Sequence, residues 1–72
     1  MPLVQVKLLE GVFSDAQKQE MIRKLTDAMV SIEGEPMRAV TWVVIDEVKS
    51  GSWGIGGKVL TTDEIKAKAG GG

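Results

Sequence analysis

Two stretches of extended chain with one amphipathic helix between them fill residues 2–48, and that order fixes most of what the chain can become. Pro2 to Leu9 read as a strand with two unlike faces. Val4, Val6 and Leu8 share parity with Pro2, whereas Leu3, Gln5, Lys7 and Leu9 point the other way. One set fits under a helix; the mixed set needs water or another subunit. Glu10-Gly11 ends the strand. Ser14 then opens a helix, with Gln17 three residues on completing a capping-box pattern. Met21, Ile22, Leu25, Ala28, Met29 and Ile32 keep helical spacing and read as the core stripe. Gly34 stops the helix and Pro36 prevents its resumption. Residues 39–48, nearly all apolar and many β-branched, read as a second strand buried on both faces, as parallel strands are. Together these elements make a βαβ unit with a right-handed crossover.

Lys49-Ser50-Gly51-Ser52 reads as a turn. Three glycines within Gly54-Ile55-Gly56-Gly57 mark a bend or hairpin running from Trp53 to Val59-Leu60. A short helix capped by Thr62 is expected in the tail, and Ala69 with the three final glycines should fray. The expectation is one α+β domain over residues 1–72, with its core in 2–60 and a tail in 61–72.

Seventy-two residues bury little. A core of this size contributes roughly 3–5 kcal/mol. The chain has neither cysteine nor histidine, so a disulfide staple and a Cys/His zinc site are both ruled out, and no metal or cofactor is expected. Assembly is the remaining way to cover apolar surface. A net charge of −1 without a basic cluster argues against nucleic acid and anionic membrane as partners. No apolar run approaches the length of a spanning helix and no signal-peptide pattern is present, so a cytoplasmic location is expected.

Few residues offer chemistry. Gly54-x-Gly56-Gly57 matches neither the phosphate-loop pattern nor the dinucleotide fingerprint and reads as a turn. Asp46 and Glu47 are adjacent, so they point to opposite faces of a strand and do not make a paired-carboxylate site. Pro2 is different. Removal of Met1 would leave it as the N-terminus, a secondary amine with no rotamers to order. With Met1 in place its nitrogen is an amide and no base.

In this context the sequence resembles the 4-oxalocrotonate tautomerase family. The resemblance rests on Pro2, Leu9-Glu10-Gly11, Ser14-Asp15 with Gln17-Lys18, Pro36, Val43-Val44-Ile45 with Glu47, and Trp53-Gly54-Ile55-Gly56-Gly57, across residues 2 to 60. It implies a β-α-β unit plus a C-terminal β-hairpin. It further implies dimers that join two such units into a four-stranded sheet, and a homohexamer built as a trimer of dimers. It implies an isomerase that acts on a small molecule, with Pro2 as general base on an enol or unsaturated 2-oxo acid. Trp53, Ile55 and Leu9 fall at positions that line the family's pocket.

Two positions depart from the pattern. The family's first arginine follows Leu-Glu-Gly directly, where this chain has Val12 and then an extra residue, Phe13. Its second lies early in the second strand, where Trp42 stands, or Thr41 if the shift is placed differently. Those arginines bind substrate carboxylates in a fork that no other side chain reproduces. Only Arg23 and Arg38 exist here. Arg23 is expected on a solvated helix face. Arg38, just before the second strand, is either a solvated charge or reaches a neighbour's pocket. Lys7 reads as half of an ion pair between subunits. Val12, Phe13, Trp42 and Trp53 should make the pocket apolar, so a less charged or aromatic enol fits better than a diacid. Two other readings stay open: a non-catalytic oligomeric subunit or small-molecule binder, and a hydrolytic activity on an unsaturated acid.

Overall fold

The computed structural model describes residues 2–69. The expectations for Met1 and for the three final glycines lie outside them. β1 (Leu3–Leu9) and β2 (Trp42–Val48) pair in parallel, in register from Leu3 opposite Trp42 to Leu9 opposite Val48. α1 (Asp15–Glu33) makes the crossover. Ser14 caps it as the pattern requires: its Oγ accepts from the Gln17 N–H at 3.1 Å, and Gln17 Oε1 accepts from the Ser14 N–H at 2.9 Å. Gly34, at φ 103°, ends the helix while its N–H still donates to Val30 O. Only glycine takes that conformation without strain.

The next turn corrects the sequence reading. Pro36 does not hand over to extended chain; it sits in the first turn of a 3-10 helix, Glu35–Val40, and the strand begins at Trp42 instead of residue 39. A first helical turn has spare N–H groups, so proline's missing donor is harmless there.

The alternation of β1 is as expected. Val4, Val6 and Leu8 are partly covered, whereas Leu3, Gln5 and Lys7 are exposed. β2 departs from expectation: none of its residues is buried, because α1 covers one face of the two-stranded sheet and none of the described residues covers the other end to end. The helix stripe is also shifted. Val30 and Leu9, 6% and 7% exposed, are the buried apolar residues, while Ile22, Ala28 and Ile32 are exposed. At 100° per residue Ile32 lies about 200° round the helix from Val30, which puts it on the far side from the sheet.

β3 (Trp53–Ile55) and β4 (Lys58–Leu60) form the hairpin, antiparallel, with Gly56 and Gly57 both at positive φ in its two-residue turn. That is the turn whose twist matches the strands. α2 (Thr62–Ala69) follows. Its cap is Thr61, not Thr62: Thr61 Oγ1 accepts from the Glu64 N–H. Thr62 instead ties the tail to β1, donating its hydroxyl to Glu10 O at 2.6 Å and its N–H to Ser50 Oγ at 3.0 Å. The Gly11 N–H donates to Glu47 Oε2 and the Glu10 N–H to Val48 O. The hairpin and α2 are thereby held at the C-terminal end of β1.

The protomer is extended, 42 × 25 × 17 Å, with a radius of gyration of 14.8 Å. A compact chain of this length has about 11 Å. No helix among the described residues is long and apolar enough to cross a membrane.

Candidate active site

Pro2 sits one step before β1, and its carbonyl accepts from the Trp42 N–H at 3.0 Å. That bond carries the β-ladder to the residue that would bear the terminal amine. Leu3 and Trp42, cross-strand partners, are 55% and 54% exposed and form an apolar patch beside it. Thr41, the other position for the family's second arginine, turns its hydroxyl toward the Glu33 carboxylate and the Met37 carbonyl.

Leu9, Trp53 and Ile55 come together, as the resemblance implies, in an open cleft of about 260 Å³ that Lys7, Leu8, Leu60 and Ile65 complete. This cleft is not next to Pro2. Seven residue steps at about 3.3 Å each separate Pro2 from Leu9, roughly 23 Å along the strand. A single chain therefore holds the two halves of the expected site at opposite ends of β1. Phe13 joins neither half; it lines a groove against Met21 and Leu25 on the flank of α1.

Arg38 stands at the Pro2 end, but its donors are engaged. Nε bonds Glu35 Oε1 at 2.7 Å and Nη1 bonds Asp27 Oδ1 at 2.8 Å, pinning the 3-10 helix to α1. The pair with Arg38 holds the Glu35 carboxyl below the usual range, and the two carboxylates raise the guanidinium's already high pKa. Lys7 finds its acid within the chain, Asp46 Oδ2 at 3.3 Å, on the cross-strand partner of the open face.

Asp46 and Glu47 diverge as adjacent strand residues must. Glu47 turns to the helix side and takes Lys18 Nζ at 2.8 Å, with Asp15 Oδ1 at 3.3 Å on the same ammonium. The hydrogen bond from Lys18, then that from the Gly11 N–H, lowers the Glu47 pKa; the bond to Glu47, then that to Asp15, raises that of Lys18. Sequence reasoning missed both pairs. The parities of Lys7 and Asp46 were readable, but the parallel register that sets them opposite each other was not.

The sequence profile of the family described as "Tautomerase enzyme" matches residues 2–63. A 2-hydroxymuconate tautomerase of Pseudomonas putida is 39% identical over 61 residues, which is 85% of this chain and 94% of that one. A probable tautomerase of Dickeya dadantii is 36% identical over 61 residues, 85% of this chain and 90% of the relative. Among solved structures, a heterohexameric 4-oxalocrotonate tautomerase from Chloroflexus aurantiacus superposes with a TM-score of 0.73 at 34% identity, covering 82% of this chain and 92% of its own. Sequence and backbone agree across most of the length, and the chain belongs to the 4-oxalocrotonate tautomerase family of isomerases.

Proposed function

We propose that, once Met1 is removed, the Pro2 amine acts as general base in the keto–enol isomerisation of a 2-oxo acid with an apolar or aromatic body. The nitrogen takes the enol O–H proton, and the freed O–H electron pair becomes the C=O π bond. The C=C pair accepts the proton back at carbon from the prolinium. Nothing is gained or lost overall, so no co-reactant is needed. The base must be neutral near pH 7, and an apolar enclosure disfavours the charged amine. A base poised near the working pH contributes typically 10²–10⁴-fold.

The observation that carries this reading is the separation along β1. Pro2 stands beside the apolar patch of Leu3 and Trp42, and the cleft of Leu9, Trp53 and Ile55 lies at the other end of the strand. β1 pairs with β2 on one edge only. Antiparallel pairing of the free β1 edges of two copies brings Pro2 of one beside Leu9 of the other, completing two sites at once. Dimers of this kind, packed by their open sheet faces, give the hexamer that the family resemblance implies. Pro2, Trp42, Leu9, Trp53 and Ile55 line the proposed site. Arg38, held by two carboxylates of its own chain, stays outside it. With Val12 and Trp42 at the arginine positions, a diacid such as 2-hydroxymuconate is poorly held.

Ketonisation of phenylenolpyruvate tests the proposal, with intact mass reporting Met1 removal. Pro2→Ala lowers kcat/KM about 100-fold or more. Equal rates for the two chains, or full activity in a preparation that retains Met1, would overturn it. The second reading, a non-catalytic subunit or small-molecule binder, is favoured by the loss of both arginine positions, and equal rates would move the assignment there.

A further inference from the structure

We propose that Ile65 of α2 sets the size limit of the Trp53 cleft and that Thr62 positions it, so that the cleft takes ligands whose apolar body is a single ring and turns away fused two-ring bodies. Ile65 lies beyond residues 2–63, where the family pattern ends. Leu9 lines the cleft from the end of β1, and Trp53, Ile55 and Leu60 line it from the hairpin; α2 contributes Ile65. The volume, about 260 Å³, is below the roughly 300–1,000 Å³ of pockets that take drug-sized molecules. An apolar wall discriminates by size: one methylene too many or too few in such a pocket is worth about 10- to 200-fold.

The position of Ile65 is fixed within one chain. A helix of 8 residues is too short to hold its shape alone. Here its start is tied down twice. Thr62 donates its hydroxyl to Glu10 O at 2.6 Å and its N–H to Ser50 Oγ at 3.0 Å, and the Ile65 N–H donates to Thr61 O at 3.2 Å. The close approach depends on Gly11, at φ 79°: a Cβ there would stand 3.1 Å from Thr62 Cγ2, tighter than ordinary contact. Residues three apart share a helix face, so the tie at Thr62 turns Ile65 toward the end of β1. Burial follows the same face. Thr61, Thr62 and Ile65 are half-buried, whereas Asp63, Glu64, Lys66, Ala67 and Lys68 are exposed. Leu9, on the same cleft, is 7% exposed, so that end of β1 is covered by the chain itself. As a limit on substrates the assignment rests on the Pro2 reading; as a limit on ligands it does not.

Binding tests it without turnover. Cinnamate and naphthylacrylate carry the same side arm, lack an enol, and differ by one fused ring. Calorimetric titration of the processed chain should give about a 10-fold preference for cinnamate. Ile65→Ala should abolish the preference by tightening naphthylacrylate. Thr62→Val keeps the shape but loses the hydroxyl and should reduce the preference, whereas Thr62→Ser should keep it. Lys66→Ala, on the exposed side of α2, should not alter it. Ile65→Trp narrows the cleft and should weaken cinnamate about 10-fold; it decides the matter if Ile65→Ala does not fold. The assignment is overturned by equal binding of the two ligands or no binding of either, by a preference unchanged in Ile65→Ala or in Thr62→Val, by one lost in Lys66→Ala, or by cinnamate bound as tightly in Ile65→Trp. A chain that discriminates as described but does not ketonise phenylenolpyruvate keeps Ile65 and loses the Pro2 base; active turnover without discrimination does the reverse.

Discussion

Lys18 is where three elements share one charge. Its ammonium joins Asp15 in the first turn of α1 to Glu47 near the end of β2, and Glu47 in turn holds the Gly11 N–H after β1. The sign of its pH dependence follows from the two shifts. Glu47 titrates below 4.5 when folded, so its contribution is present above about 4.5 and is lost as pH falls through the lowered value. Lys18 titrates above 10.5 when folded, so its share is present below 10.5 and is lost as pH rises past the raised value. Glu47→Gln keeps the shape and removes the charge. Thermal melts should therefore show a lower Tm for the variant by a constant margin between pH 5 and 10. That margin should close as pH falls below 4.5 and again above 10.5. Glu20 and Glu35 also titrate low, held by Lys24 and Arg38, so the parent chain's own acid limb is shared and only the difference isolates Glu47. A margin undiminished at pH 3 would mean that packing, not the charge pair, accounts for it.

At the scale of elements, what could be read in advance is what local backbone rules decide. Ser14 and Gln17 close both halves of their capping box and Gly34 takes a positive φ, so the limits of α1 were legible. Ser14→Ala should cost about 1 kcal/mol in denaturant unfolding; a loss below a few tenths would show the cap to be replaceable by water. Where two local solutions compete, the sequence was ambiguous. Pro36 fits extended chain or a first helical turn, and Met37 to Val40 follow it into the 3-10 helix. Thr61 and Thr62 are both able to cap α2, and long-range bonds from Thr62 to Glu10 and Ser50 decide between them. The site turned on such long-range contacts too. The cleft residues Leu9, Trp53 and Ile55 were readable only through the family resemblance, because long-range bonds hold the hairpin at the end of β1, and the Lys7–Asp46 pair depends on a register set across the whole crossover.

At the scale of the molecule, the protomer looks unfinished. It exposes 5128 Å², against about 4300 Å² for a compact chain of 7.7 kDa. The excess is close to one partner's share, about 800 Å², of a standard interface. Among the open surfaces are the free edge of β1 and the sheet face that carries Leu3, Gln5, Lys7 and Trp42. They should fail separately. In the proposed assembly, edge pairing uses backbone groups and would make the dimer that unites Pro2 with the Trp53 cleft. Face packing uses side chains and would stack the proposed dimers into a hexamer. Leu3→Lys places a charge in the exposed apolar patch without touching the ladder, so the variant's size-exclusion mass should stop at a dimer where the parent's should be that of a hexamer. Because assembly contributes to stability by mass action, the parent's Tm should also rise with protein concentration. A monomer mass and a concentration-independent Tm for the parent chain would leave Pro2 and the cleft a strand apart, and no composite site would form.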